Sequence, residues 1–210
     1  MAINKFSVVF AFFCIIIIGS SGCECVGGAR HAFNEKITFE PEYLEYHLGD
    51  TIWMTSKFSC KNLFNAVTGQ TEDYCGVENI ALSLQLFLLE PWPQDSLSPT
   101  PAAQLFDFLN INGSALPADD RNVNVYFGTM DDDYLLKIGI IPRNVGQYFF
   151  AVAGGGTYEL PDSKKCDTGS FGFSPDVKDN HISLLETFKK GAQNVTEYEK
   201  EQVYCFEVMQ

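Results

Sequence analysis

"IALSLQLFLLE", Ile80 to Glu90, is the stretch from which the fold class is read. Leu82, Leu84, Leu86 and Leu88 alternate with Ala81, Ser83 and Gln85. That period-two spacing puts the four leucines on one face of an extended chain, as a half-buried strand requires. The same alternation recurs on either side. In "KITFE", Ile37 and Phe39 sit between Lys36, Thr38 and Glu40, and "LEYHLGD" brings Leu44, Tyr46 and Leu48 onto one face before a Gly49-Asp50 turn. "TIWMTSKF" points Ile52 and Met54 one way. Downstream, "AAQLFDFLNING" and "NVNVYF" read as shorter strands.

In "YLLKIGIIPRNVGQYFFAVAGGG", Tyr134, Leu136, Ile138 and Ile140 alternate with Lys137 and Gly139, and Pro142 to Asn144 marks a turn. Gly146-Gln147-Tyr148 then opens a strand carrying Phe150 and Val152. The chain finishes in "QVYCFEVM", with Tyr204, Phe206 and Val208 on one side and Cys205 on the other. "PWPQDSLSPTP", Pro91 to Pro101, is a loop, because its prolines remove ladder donors. One segment breaks the pattern. In "DNHISLLETFKKG", Asn180 suits an N-cap, Ile182, Leu185 and Phe188 recur at helical spacing, and Lys189, Lys190 and Gly191 close the end. Together these patterns predict a mainly β chain. Its expected form is an antiparallel two-sheet sandwich of immunoglobulin-like type, with about seven or eight strands and one short helix in the C-terminal half. Gly146 to Tyr148 resembles the tyrosine corner of such sandwiches, with Phe150 where an immunoglobulin cysteine would stand.

The opening "MAINKFSVVFAFFCIIIIGSSG" has one positive charge, Lys5, then an apolar run from Phe6 to Gly19 and the small residues Ser20, Ser21 and Gly22. It predicts a secretory signal over residues 1–22. The run is short of the roughly 20 apolar residues a spanning helix needs. Residues 23–34 read as a glycine-bearing tether and 35–210 as one sandwich domain. Ser20 and Gly22 suit signal peptidase cutting before Cys23. "SSGC" also resembles the lipobox of bacterial lipoproteins, with Ser20 in place of the usual leucine. That resemblance implies acylation of Cys23, with palmitate-type chains holding the protein on a membrane of the cell envelope, facing periplasm or exterior. Each buried methylene contributes about 0.8 kcal/mol, so two or more chains anchor durably. The alternative is a soluble secreted product.

Removal of the signal takes Cys14 and leaves Cys23, Cys25, Cys60, Cys75, Cys166 and Cys205, a usage that fits an oxidising compartment. With Cys23 acylated one thiol is unpaired; otherwise six cysteines allow 15 pairings. The expected bridges are Cys60–Cys75, which would add about 3 kcal/mol by restricting the unfolded chain, and Cys166–Cys205, which would staple the terminal strand to an upstream loop. No metal is expected: Cys23 and Cys25 lack the usual C-x₂-C spacing and the histidines are scattered.

Hydrophobic residues make up 46% of the 210, ample for a core. A net charge of −13 argues against nucleic acid, whose phosphates require clustered Lys and Arg. "FNEKITFEPEYLEYHLGDTIWMTSKF", "YLLKIGIIPRNVGQYFF" and "YCFEV" together resemble a group of small uncharacterised envelope lipoproteins of Bacteroidetes-type bacteria. The resemblance implies a structural likeness and no particular activity.

Candidate chemistry is sparse. Asp167-Thr168-Gly169-Ser170 looks like an aspartic-protease signature, but no second D-T-G supplies the facing carboxylate, and a turn is expected. Thr168 replaces the first glycine of a G-x-S-x-G elbow around Ser170. His31 in the tether, His47 before a turn and His181 at the helix start read as surface residues. Asp131 to Asp133 could offer oxygens to calcium but lack the spaced D-x-D-x-D-G pattern, so a solvated hairpin turn is expected. Gly154 to Gly156 read as a loop, not a phosphate cradle. Trp92, Tyr158 and Phe171 are the candidate ligand-contacting aromatics. The expectation is a non-enzymatic, cofactor-free anchored module that binds a surface protein or a glycan or serves structurally. The alternative is a secreted, disulfide-stabilised inhibitor or effector.

Overall fold

The computed structural model describes residues 30–89, 99–159, 168–189 and 195–210. The strands are, in order, β1 (Arg30–Glu40), β2 (Glu45–His47), β3 (Ile52–Ser59), β4 (Leu63–Asn65), β5 (Gln70–Glu72), β6 (Ala81–Leu88), β7 (Thr100–Pro101) and β8 (Phe106–Asn112). They continue as β9 (Ser114–Pro117), β10 (Asn122–Tyr126), β11 (Gly128–Met130), β12 (Asp133–Pro142), β13 (Gly146–Ala153), β14 (Thr157–Glu159), β15 (Thr168–Pro175) and β16 (Val203–Met209). One sheet runs β11-β12-β3-β1-β15-β14, with β8 also on β12 and the β4–β5 ribbon on β1. The other runs β2-β16-β13-β6-β10-β9, with β7 on β6. This is the expected two-sheet sandwich, with short ribbons added to its long strands.

The core is built from the alternations. Ile37 and Phe39, Ile52 and Met54, the four leucines of β6, and Tyr134 to Ile140 at every second position all meet between the sheets. Tyr148, Phe150, Val152, Tyr204, Phe206 and Val208 join them from the other side. Phe150 is the hub, its ring 4.7 Å from Phe206, 5.5 Å from Phe106 and 5.7 Å from Phe39 between centroids. The Tyr148 hydroxyl donates to the Asn144 carbonyl at 3.1 Å, the backward bond of a tyrosine corner.

Several elements differ from expectation. Strand β1 begins at Arg30, so residues 30–34 belong to the sheet and not to a tether. Its first part pairs in parallel with β15, from Arg30 opposite Thr168 to Ile37 opposite Pro175, and its last three residues pair antiparallel with β3. Strand β2 also pairs in parallel with β16. The sandwich is therefore mixed, because strands from opposite ends of the chain lie side by side. Alternation alone carries no direction. Leu44 and Leu48 flank a three-residue strand and are 40% and 42% exposed, while Tyr46 alone enters the core.

The helix expected near Asn180 spans Ser183–Phe188 with Ile182 at the cap position, and the Asn180 side chain accepts from the Ile182 N–H instead. Leu185 packs with Phe149, Val203, Cys205 and Leu89 in a second apolar cluster, on the outer face of β13 and β16. A second helix, Glu197–Gln202, is closed by a capping box in which Thr196 and Glu199 satisfy each other's backbone N–H groups.

Candidate functional site

The loop between Cys60 and Cys75 folds back over the start of β1. The two cysteines are bridged, as their spacing predicts, with Cα atoms 4.8 Å apart. The loop delivers Asn65, Glu72 and Tyr74 to His31, which is 8% exposed and not a surface residue. His31 Nδ1 donates to Glu72 at 2.7 Å, and Asn65 donates to the other carboxylate oxygen at 2.8 Å. Thr68 adds a third bond at 3.0 Å. Asn65 is held in that orientation because its own oxygen accepts from the backbone N–H groups of Ala32 and Val67. Burial opposes the Glu72 charge, but the bonds from Asn65, His31 and Thr68 outweigh it and hold the carboxyl below its ordinary range.

A histidine on a carboxylate resembles part of a catalytic relay. The geometry does not complete one. The Tyr74 hydroxyl lies 3.3 Å from Nδ1 and 3.4 Å from Nε2, equidistant and so off the lone-pair axis of both nitrogens. The cluster ties the disulfide loop to the sheet.

The other expected residues fall as follows. Phe171 lies in β15 and is 1% exposed, packed on Phe33 at 5.0 Å; it is core, which corrects its reading as an exposed contact. Tyr158 turns inward, with its hydroxyl accepting from the Ala81 N–H at 2.8 Å and its ring edge on Phe171. Trp92, Cys23, Cys166 and Asp167 lie outside the described residues. Cys205 is a free thiol, so its expected bridge to Cys166 is corrected. It points into the apolar cluster beneath the Ser183–Phe188 helix, and that burial pushes its pKa up to about 12. His181 is half-buried, with Nδ1 3.4 Å from Asp179 and a buried Nε2 that has no partner. His47 stays exposed beside Asp50. Asp131 makes the expected hairpin turn at φ 55°, while Asp132 and Asp133 pair with Lys61 and Lys57. Asp132 approaches Cys60 and Cys75, but their sulfurs are oxidised and are not thiolate ligands.

An open groove of about 810 Å³, not foreseen from the sequence, lies on one outer face of the sandwich. Its floor is the outer face of β1 and β15, where Asn34 lies opposite Gly172 and Lys36 opposite Ser174. Lys36 donates to the Ser174 hydroxyl at 2.9 Å. A Cβ at position 172 would stand 2.7 Å from the Asn34 oxygen, so glycine lets the amide lie flat across the floor. One wall is the segment from Val177 to Asn180, and the other is the Glu197–Gln202 helix. Gln202, with its amide nitrogen inward, donates to the Val152 and Phe173 carbonyls and fastens that helix to both sheets. Asn180 donates to the Lys200 carbonyl and joins the walls. Thr196-x-x-Glu199 was the legible signal for the helix; nothing local places it beside Asn34 and Lys36.

The fold defines a class, a two-sheet β-sandwich with mixed sheets. No protein-family model and no curated protein matches the sequence. Among solved structures, the chain is similar to the seventh ScaB type I cohesin from Pseudobacteroides cellulosolvens, at 10% identity and a TM-score of 0.34, over 70% of this chain and 95% of that one. It is similar to the human F-spondin reeler domain at 11% identity and a TM-score of 0.30, over 72% of this chain and 92% of that one. Among the described residues, no helix is long and apolar enough to cross a membrane.

Proposed function

We propose that this protein is exported, anchored by lipid on Cys23 to the cell envelope, and works there as a non-enzymatic binding or structural module. Cysteine arithmetic carries the reading. Cys60 and Cys75 are bridged and Cys205 is a buried free thiol. Acylation of Cys23 then leaves Cys25 and Cys166, an even pair, whereas a plain Cys23 leaves three. Arg30 and Thr168, the described residues nearest those two cysteines, are neighbours in the parallel ladder. The groove between β1, β15 and the Glu197–Gln202 helix, with donors and acceptors in its lining, offers a place for a ligand.

Intact-mass spectrometry of the natively expressed protein, with and without reduction, tests this. A diacylglycerol and a fatty acyl group on Cys23, with reduction opening two bridges, is the expected result. An unlipidated product beginning at Cys23 would overturn it in favour of a soluble secreted inhibitor or effector.

A further inference from the structure

The geometry points to the groove between β1, β15 and the Glu197–Gln202 helix as a binding site for a neutral, hydroxyl-rich saccharide, which rests on the binding-module reading above and names its ligand class. The floor supplies an exposed amide, Asn34, whose oxygen lies across Gly172. The walls add an ammonium, Lys178, whose backbone N–H donates to the Glu42 carboxylate at 3.0 Å, and a carboxylate, Glu201. Donors and acceptors thus stand within one cleft, which is what vicinal hydroxyls, each both donor and acceptor, require.

Charge narrows the ligand further. Lys36, Lys178 and Lys200 are offset by Asp179 and Glu201 within the same lining, and Lys200 is bound to Glu197 at 3.0 Å. A polyanion would meet the two carboxylates, and a polycation the three lysines. A purely apolar ligand would lie on an amide, a serine and a lysine. At the lip stands Tyr198, 70% exposed, the most open of the large apolar side chains among the described residues. An aromatic ring kept in solvent beside a polar floor suits the apolar face of a sugar ring, which stacks while its hydroxyls bond below.

Isothermal titration with cello-, malto-, xylo-, manno- and chito-hexaose as probes, and with polygalacturonate and polyglutamate as charged controls, reads the site on the full-length protein. At least one neutral oligosaccharide is expected to bind. Tyr198→Ala is expected to weaken it about tenfold and Tyr198→Phe to leave it nearly unchanged. Asn34→Ala is expected to weaken it separately. Both positions are exposed, so unchanged unfolding midpoints serve as the check on folding. The inference is overturned if no neutral probe binds, if binding survives both alanine substitutions, or if a charged control binds more tightly. A lipidated protein that binds none of the probes sinks this inference alone; an unlipidated one that binds sinks only the anchoring.

Discussion

At the scale of single residues, polar side chains in this sandwich are committed to one another more than alternation alone conveys. On β1, His31, Phe33, Glu35, Ile37 and Phe39 share one face, and that face carries two titratable groups into a largely apolar interior. Glu35 is half-buried and burial holds its carboxyl above the ordinary range. Glu72 goes the other way because three donors converge on it. A carboxyl held below its ordinary 4.5 adds stability that is present above that value and lost as the pH falls through the folded-state value. Glu72→Gln should therefore cost about 1–2 kcal/mol at pH 7, and the gap to wild type should narrow steadily below about pH 5. Urea unfolding of both proteins between pH 3 and pH 7 measures it. A gap that stays constant with pH would mean the charge on Glu72 contributes nothing.

Among the elements, one of the crossings between the sheets, from β8 to β9, is made by a single glycine. Gly113 joins β8 to β9 at φ +81°, and a Cβ there would stand 2.2 Å from the Tyr126 carbonyl oxygen. Neither the positive φ nor that contact with backbone relaxes by turning a side chain. Gly113→Ala should destabilise by more than about 1 kcal/mol, read as a lower urea midpoint at unchanged slope. An unchanged midpoint would show that the crossing tolerates a side chain. The strands on either side of such turns were legible from their residues: β3, β6, β12, β13 and β16 bury the side chains their alternation selects. The short helices were half legible. Ser183–Phe188 follows from the spacing of Ile182, Leu185 and Phe188, and Glu197–Gln202 hides behind a polar sequence that only its capping box betrays.

For the whole molecule, stability depends on the docking of two sheets across one aromatic layer. Phe39, Phe106, Phe150 and Phe206 interlock there with Tyr148 and Tyr204. Phe150 is 0% exposed and contacts strands of both sheets. Phe150→Ala should cost about 3–5 kcal/mol, a large share of the roughly 5–15 kcal/mol that holds a domain together. Calorimetry would show a single transition at lower temperature. Loss of only a few tenths of a kcal/mol would mean that the neighbouring rings close the gap.

The sequence alone determined the β class, the inward faces of β3, β6, β12, β13 and β16 and the Cys60–Cys75 bridge, because each depends on residues close together in the chain. Period-two spacing acts within a strand, and a 15-residue loop closes at small entropic cost. Tertiary structure alone decided which strands pair in parallel, that Phe171 is core, that Cys205 is unbridged, and that Asn34, Lys178 and Tyr198 line one cleft. Those outcomes depend on contacts between elements that are not adjacent in the chain, such as β1 and β15. Local spacing sets which way a side chain points, and only the packed sheets set what it meets.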